Sequence, residues 1–388
     1  MTRGVEATAM RIRLGDAARE CRETIKGSKH GLPVVGLEHL APSDITLSDW
    51  SKDSDNTFTK AFYKGQMLFG RRRAYLKKAA LAPFDGICSG DITVIEAKPD
   101  ILLPELLPFI IQNDTFFDFA IGKSAGSLSP RAKWEHLREF EFELPALAEQ
   151  RKLADLLWAA NTAREAYKKL VSETDELVKS QFIEMLKLSG VDENSFVELE
   201  KVCCRPPQNG VYKKATGEAS NAHIAKMKQL FTDRPICEEC DLDGIHLTEK
   251  ELDTFRLTQN DLLFGRRSLV EEGAGKCSMV GDVENDVVFE SSILRITLDT
   301  NKALPVFLFY WFRSDEGKAA VKRIRNVVTI AGIKGSDLRM LRVPVIPISL
   351  QSRFADFVQQ ADKSKFELQR TIDDLEATYK AILRKTLG

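Results

Sequence analysis

The sequence predicts two mixed α/β (α+β) domains in tandem, related as a pseudo-two-fold internal repeat and joined by a long antiparallel two-helix coiled coil. Three observations carry this. Residues 150–187 contain neither Gly nor Pro and place Leu156, Ala160, Ala163, Tyr167, Leu170, Thr174 and Leu177 in alternating steps of four and three, the spacing of a coiled-coil seam. The same steps return at Phe357, Ala361, Ser364, Leu368, Thr371, Leu375, Thr378 and Ile382, in a register displaced by 201 residues. Matching short segments also precede each helix.

Both helical stretches are rich in Glu, Lys, Arg, Gln, Ala and Leu, which favour helix, and each is expected to run about 36 residues, or about 54 Å. The chain of 388 residues is 43% hydrophobic and 29% charged, a composition that excludes disorder and leaves room for two or three cored domains. No run of about 18 apolar residues occurs, so neither export nor membrane insertion is expected. Seven cysteines, an odd number, then point to reduced thiols and a cytoplasmic protein. A net charge of −1 excludes a nucleic-acid binder that works by diffuse charge alone, though not local basic patches.

In chain order, Leu32 to Leu37 reads as a short buried strand and Lys64 to Gly70 as a strand ending in Gly followed by Arg71, Arg72 and Arg73. Ile87 to Ile95 alternates like a strand, and Leu103 to Ala120 reads as a helix with Pro104 in its first turn. Leu137 to Leu144 leads into the first long helix. The second half repeats the plan: Leu262-Leu263-Phe264-Gly265-Arg266-Arg267 follows its counterpart by 195 residues, Val287 to Ile296 is the matching strand, Leu304-Pro305 opens a helix through Phe312, and Leu338 to Val343 matches Leu137 to Phe142. The expected boundaries are 1–148 and 189–349 for the domains and 149–188 and 350–388 for the helices.

The approach to the first helix, Leu144-Pro145-Ala146-Leu147-Ala148-Glu149-Gln150-Arg151, combined with the domain-helix-domain-helix order, resembles the DNA specificity subunit of type I restriction-modification systems. The second copy, Pro347-Ile348-Ser349-Leu350-Gln351, departs from it at Leu350. The resemblance implies two target recognition domains, each reading half of a bipartite, asymmetric site in double-stranded DNA. It implies helices that act as a spacer and dock two methyltransferase subunits, with nuclease/translocase subunits joining, and a subunit with no catalytic activity or cofactor of its own. The expected partner-binding helix positions are Gln150, Arg151, Leu156, Tyr167, Leu170, Leu177, Gln351, Phe357, Leu368, Leu375 and Ile382, with the seam buried between the helices and the flanking charges exposed. Helices of about 54 Å would set the half-sites no farther apart than about 16 base pairs.

Candidate DNA contacts follow from the residues. Arg is the commonest reader of guanine edges and a bidentate phosphate ligand. A strand end carrying Arg71, Arg72 and Arg73, with Tyr75, Lys77 and Lys78 close by, suits both tasks. Arg266 and Arg267, with Lys334, offer the same in the second half. One such cluster alone is equally a solvated loop balancing nearby acids; recurrence at equivalent places favours binding. Lys123, Ser124 and Ser127 in the Gly122 to Pro130 loop suit phosphate contact, and a plain loop fits them as well.

Other chemistries fit the residues less well. Asp85, Glu96 and Lys98 have the residue types of a Mg²⁺-dependent nuclease, but Thr297 and Asp299 stand where the second half would need Glu and Lys. Cys203, Cys204, Cys237 and Cys240 could hold structural zinc, yet adjacent Cys203 and Cys204 are poorly spaced, and buried free thiols suit them better. Gly273-Ala274-Gly275-Lys276 lacks the earlier Gly and the following Ser/Thr of a P-loop. A coiled-coil scaffold that binds only proteins is the remaining alternative.

Overall fold

The computed structural model describes residues 9–25, 31–52, 56–125, 129–213, 220–232, 234–237, 240–283, 285–327 and 330–387. The chain forms two compact units: residues 1–170 with 367–388, and residues 171–366.

In the first unit an antiparallel sheet runs in the order Ala18–Cys21, Ile92–Ala97, Met67–Gly70, Ala79–Leu81. Its apolar side chains alternate between two cores, Met67, Phe69 and Ile95 facing one with Phe109, Phe116, Phe117 and Phe140, and Leu68, Ala80 and Val94 facing the other; each buried ring stabilises by about 1.5 to 3 kcal/mol. A three-stranded sheet, Val34–Val35, Gly86–Cys88, Lys60–Phe62, lies in the same unit. Met10–Arg13 pairs with Glu141–Leu144, which delivers the chain to the long helix Leu147–Leu188.

The second unit repeats the larger sheet strand for strand: Gln208–Asn209, Ile293–Thr297, Asp261–Gly265, Cys277–Met279. Phe196–Glu198 pairs with Arg342–Pro344 before the helix Ile348–Leu387. The small sheet has diverged. Gly86–Cys88 is central in the first unit, but its counterpart Val287–Phe289 is an edge strand beside a central Ala222–Ala225.

Each long helix lends one part to each unit, and within each unit opposite ends of the two helices share a core. Leu153, Ala154 and Leu157 pack with Tyr379, Leu383 and Leu387 in the first, and Val178 and Phe182 with Phe354, Val358 and Ala361 in the second. The helices therefore pair antiparallel in each. They are longer than expected, 42 and 40 residues.

The expected seam of the first helix is corrected by one position. Leu156, Leu170 and Leu177 are 53%, 45% and 52% exposed, while Leu157, Asn161, Arg164, Val178 and Phe182 are buried. On the second helix Ala361 is buried and Phe357, Leu368, Leu375 and Ile382 are half-buried, whereas Ser364 and Thr378 face solvent beside the buried Val358, Ile372, Tyr379 and Leu383. Of the polar seam positions, Asn161 leaves its Oδ1 without a partner among the described residues, whereas Arg164 is satisfied. Arg164 donates to Glu376 (3.2 Å), to Glu165 (2.8 Å) and to the Ser43 carbonyl (2.9 Å).

Three further expectations change in detail. The helix expected over Leu103 to Ala120 is two, Leu107–Ile111 and Asp114–Gly122, with Pro108 rather than Pro104 in the first turn. Gln112 donates out of the helix to the carbonyls of Asp44 and Ala79, and Asn113 accepts from Thr115 N–H to start afresh. The strand expected over Ile87 to Ile95 divides between two sheets at a turn closed by Ile92 N–H donating to Ser89 O (3.0 Å), and that over Val287 to Ile296 divides in the same way. The strand expected over Leu32 to Leu37 shrinks to Val34–Val35.

Candidate nucleic-acid interface

The two Gly-Arg-Arg segments end equivalent central strands. Gly70 pairs with Ile92, and Gly265 with Ile293. Crowding demands glycine at 265, where a Cβ would lie 2.0 Å from Gly273 O, and leaves little room at 70, where one would lie 3.0 Å from Lys78 O. Beyond each glycine the backbone repeats bond for bond. Arg71 N–H donates to Asp91 O (3.0 Å) and Arg266 N–H to Ser292 O (2.7 Å). A returning segment then closes each turn, with Ala132 N–H on Arg71 O (2.8 Å) and Ile333 N–H on Arg266 O (3.0 Å).

In the first unit this return brings Arg131 beside Arg71 and Arg72, a proximity that sequence reading missed. All three surround Asp91: Arg131 Nε donates to it at 2.8 Å, Arg72 Nη1 lies at 3.6 Å and Arg71 Nε at 4.0 Å. The Arg131 hydrogen bond holds the Asp91 carboxyl below its usual range, against the opposing effect of burial. Three cations against one anion leave the cluster positive. Arg73 is exposed in a left-handed backbone, φ 55°, a conformation that costs a non-glycine residue about 1 kcal/mol or more. The short turn after it projects Tyr75, 54% exposed.

Residues 209–377 match the model of the type I restriction modification DNA specificity domain. The chain is 28% identical to the EcoDI type I restriction enzyme specificity subunit of Escherichia coli over 166 residues, 39% of this chain and 36% of that protein. It is 23% identical to the EcoKI specificity subunit of Escherichia coli strain K12 over 256 residues, 60% of this chain and 54% of that one. Over these stretches the chain is similar to type I restriction-modification specificity subunits. These matches span about a third to a half of the relatives' length. The solved type I system S subunit from M. genitalium shares the fold, with a TM-score of 0.54 at 11% identity over 100% of this chain and 98% of that one.

The remaining candidate residues divide. In the second unit Arg266 Nη1 donates to Ser291 O (3.3 Å), and Arg267 and Lys334 are exposed. Lys77 and Lys78, both half-buried, hold partners within the fold, Lys77 Asp114 (2.6 Å) and Lys78 the Leu37 carbonyl (2.7 Å). Ser124 Oγ caps its own helix by donating to Ala120 O, while Lys123 is exposed over the Phe119 ring. Ser127 lies outside the described residues.

Gln150 and Gln351 are also corrected: they are 1% and 0% exposed and cannot meet a partner subunit. Arg151, Leu156, Leu170 and Leu177 are exposed, and Tyr167 half-buried. Each member of the nuclease set has a partner of its own outside the set. Asp85 accepts from Lys64 N–H, Glu96 pairs with Arg19, and Lys98 donates to the carbonyls of Gly15 and Asp16. Cys203 and Cys204 donate to the carbonyls of Leu199 and Leu298, and burial pushes the Cys203 thiol up to about 12. Cys237 and Cys240 stand 3.7 Å apart; among the described residues no group of three potential metal ligands forms. Among them no helix is long and apolar enough to cross a membrane.

Proposed function

We propose that the chain is the DNA specificity subunit of a type I restriction-modification complex. It reads a bipartite, asymmetric site in double-stranded DNA and carries no catalytic step itself. The observation that carries this is the Gly-Arg-Arg turn, built from the same backbone hydrogen bonds in both units with diverged side chains around it: one scaffold presents two different readers. The reading residues are Arg71, Arg72, Arg73 and Tyr75 in the first unit and Arg266, Arg267 and Lys334 in the second, with Lys123 at the rim of the first. Guanidinium groups supply both the phosphate term and the base-edge term.

The four-part organisation follows: recognition domains at 1–148 and 189–349, helices at 149–188 and 350–388, the helices pairing as an antiparallel coiled coil whose length fixes the spacing of the half-sites. Two methyltransferase subunits and the restriction subunits dock on the exposed helix faces. Such a complex works in the cytoplasm.

Selection of duplexes by the purified full chain from a random pool tests the reading. Two conserved blocks with a fixed unread gap are expected, and a single Arg-to-Ala change at a phosphate contact should lower the slope of log affinity against log salt by about 1. An unenriched pool would favour a protein-only scaffold, and Mg²⁺-dependent cleavage by the chain alone would favour a nuclease.

A further inference from the structure

Superposing the two turns through their shared hydrogen bonds sets Asp91 against Ser292 and Arg131 against Gly332, both displaced by 201 residues. The first unit thus has an acid and a third arginine where the second has neither. The two residues come as a pair. Asp91 lies in the tight turn from Ser89 to Ile92; its N–H donates to Ser89 Oγ (3.2 Å), and its side chain is only 19% exposed. Arg131 is fixed by its backbone, donating to Ala125 O (2.9 Å). Arg72 reaches Ser129 Oγ (3.1 Å) as well as Asp91. The Nε atoms of Arg71 and Arg72 are buried without a hydrogen-bond partner among the described residues, although the side chains remain 35% and 40% exposed. A carboxylate that only neutralised charge would need no such placement between three guanidiniums.

We propose that Asp91 is a positioning residue for DNA reading by the first unit, holding Arg71, Arg72 and Arg131 as one fan, and that Arg131 is itself a DNA contact. This rests on the assignment of Arg71 and Arg72 to DNA made above. An Arg side chain that reads a base edge bidentately must be held in one rotamer, and freezing it beforehand lowers the entropic cost at binding. Asp91 costs general affinity, because it cancels one positive charge facing the phosphates. The trade is therefore selectivity against affinity, made in one unit and not in the other.

The test uses the full chain, with duplexes recovered by selection and a random-sequence duplex as reference, across a salt series. For Asp91→Asn, binding to the random duplex should hold or strengthen, while the preference for the selected site falls about tenfold. The loss should be confined to base pairs of one half-site, and Asp91→Glu should restore part of it. Arg131→Ala should lower the salt slope by about 1 or relax one position of that same half-site. An Asp91→Asn variant that keeps its preference overturns the positioning role, as does one that gains equally on both duplexes, which would mark Asp91 as a charge brake. If Asp91→Asn fails to fold, Arg131→Ala decides: unchanged binding overturns the fan. Arg71→Ala with Arg72→Ala separates the layers, since a wild-type salt slope there sinks the DNA assignment itself.

Discussion

Gln150 and Gln351 hold the starts of the two long helices by the same three hydrogen bonds. Gln150 Oε1 accepts from Leu103 N–H (2.9 Å) and its Nε2 donates to the carbonyls of Ile101 and Pro145 (both 2.9 Å). Gln351 does so with Leu304 N–H (2.8 Å) and the carbonyls of Lys302 and Ile346 (3.2 and 2.8 Å). Every partner is displaced by 201 residues. Each side chain ties a helix to the loop and strand ahead of it, so the helix direction is set by its own domain.

Replacing either glutamine with Ala strands one backbone N–H and two carbonyls. The expected cost is about 2 to 4 kcal/mol, since a buried polar group left unpaired costs about 1 to 3 kcal/mol. Gln→Glu should rescue little, because a carboxylate has no N–H to give the carbonyls. Denaturant unfolding of the full chain checks this, and wild-type stability in both variants would return these residues to the surface.

A second repeated pair predicts unequal energies. Arg164 pairs with Glu376 at 3.2 Å, and Lys365 with Asp175 at 2.8 Å; each member of the second pair is the repeat of one in the first. Arg164 is 1% exposed and also serves the Ser43 carbonyl, while the Lys365 and Asp175 side chains are 23% and 49% exposed. Arg164→Ala should therefore cost about 2 to 3 kcal/mol through lost packing and unpaired partners, against less than about 1 kcal/mol for Lys365→Ala. Equal losses in unfolding experiments would contradict the assignment of Arg164 to the core.

How much of this was legible from sequence depends on the signal each feature leaves. The repeat, the glutamine-headed helices and the Gly-Arg-Arg strand ends are local, and reading them in order sufficed. The seam was misplaced by one position because Leu156, Ala163, Leu170 and Leu177 form a heptad of apolar residues, while the buried line carries Asn161 and Arg164. Apolar counting takes the oilier stripe, and burial of an arginine becomes reasonable only once Glu376, 212 residues away, is seen to meet it. The pairing of Asp91 with Arg131 is hidden for the same reason, since 40 residues separate them. The partners of Lys77 and Lys78 are hidden likewise, since only the fold brings Asp114 and the Leu37 carbonyl to them.

That exposed stripe gives a separation of stability from assembly. Leu156, Leu170 and Leu177 changed together to Gln should alter folding stability by no more than about 0.5 kcal/mol per site, whereas Phe182→Ala, buried against Phe307 and Phe354, should cost about 3 to 5 kcal/mol. The triple variant should nonetheless lose methyltransferase subunits in size-exclusion chromatography with light scattering. Full assembly by the triple variant would move the docking surface off this face.

Acid should loosen the first unit through two carboxylates. A hydrogen bond from Arg131 lowers the Asp91 pKa and one from Lys77 lowers that of Asp114, each against burial. A depressed folded pKa contributes stability that is present above the unfolded value, about 4, and is lost as pH falls through the folded one. Asp114→Asn should therefore flatten the acid side of the stability profile below about pH 4, leaving its neutral side lower. An unchanged acid side would mean that the pair with Lys77 contributes nothing in solution.

The longest-range prediction concerns the helices as a spacer. Each is unbroken by Gly or Pro and lends residues to both units, so its length is a fixed term in any arrangement of two readers on DNA. Removing residues 166–172 and 368–374, seven from each, preserves the heptad phase and keeps Arg164, Asp175, Lys365 and Glu376. It shortens each helix by about 10 Å, the rise of about three base pairs. Sites selected by the shortened chain should keep both half-site sequences and lose about three base pairs of the gap between them. An unchanged gap would mean that DNA bending or the domains themselves set the spacing. Loss of one half-site with the other intact would mean that the deletion harmed a reader rather than the ruler, and circular dichroism of the deleted chain would then show more helix lost than the residues removed.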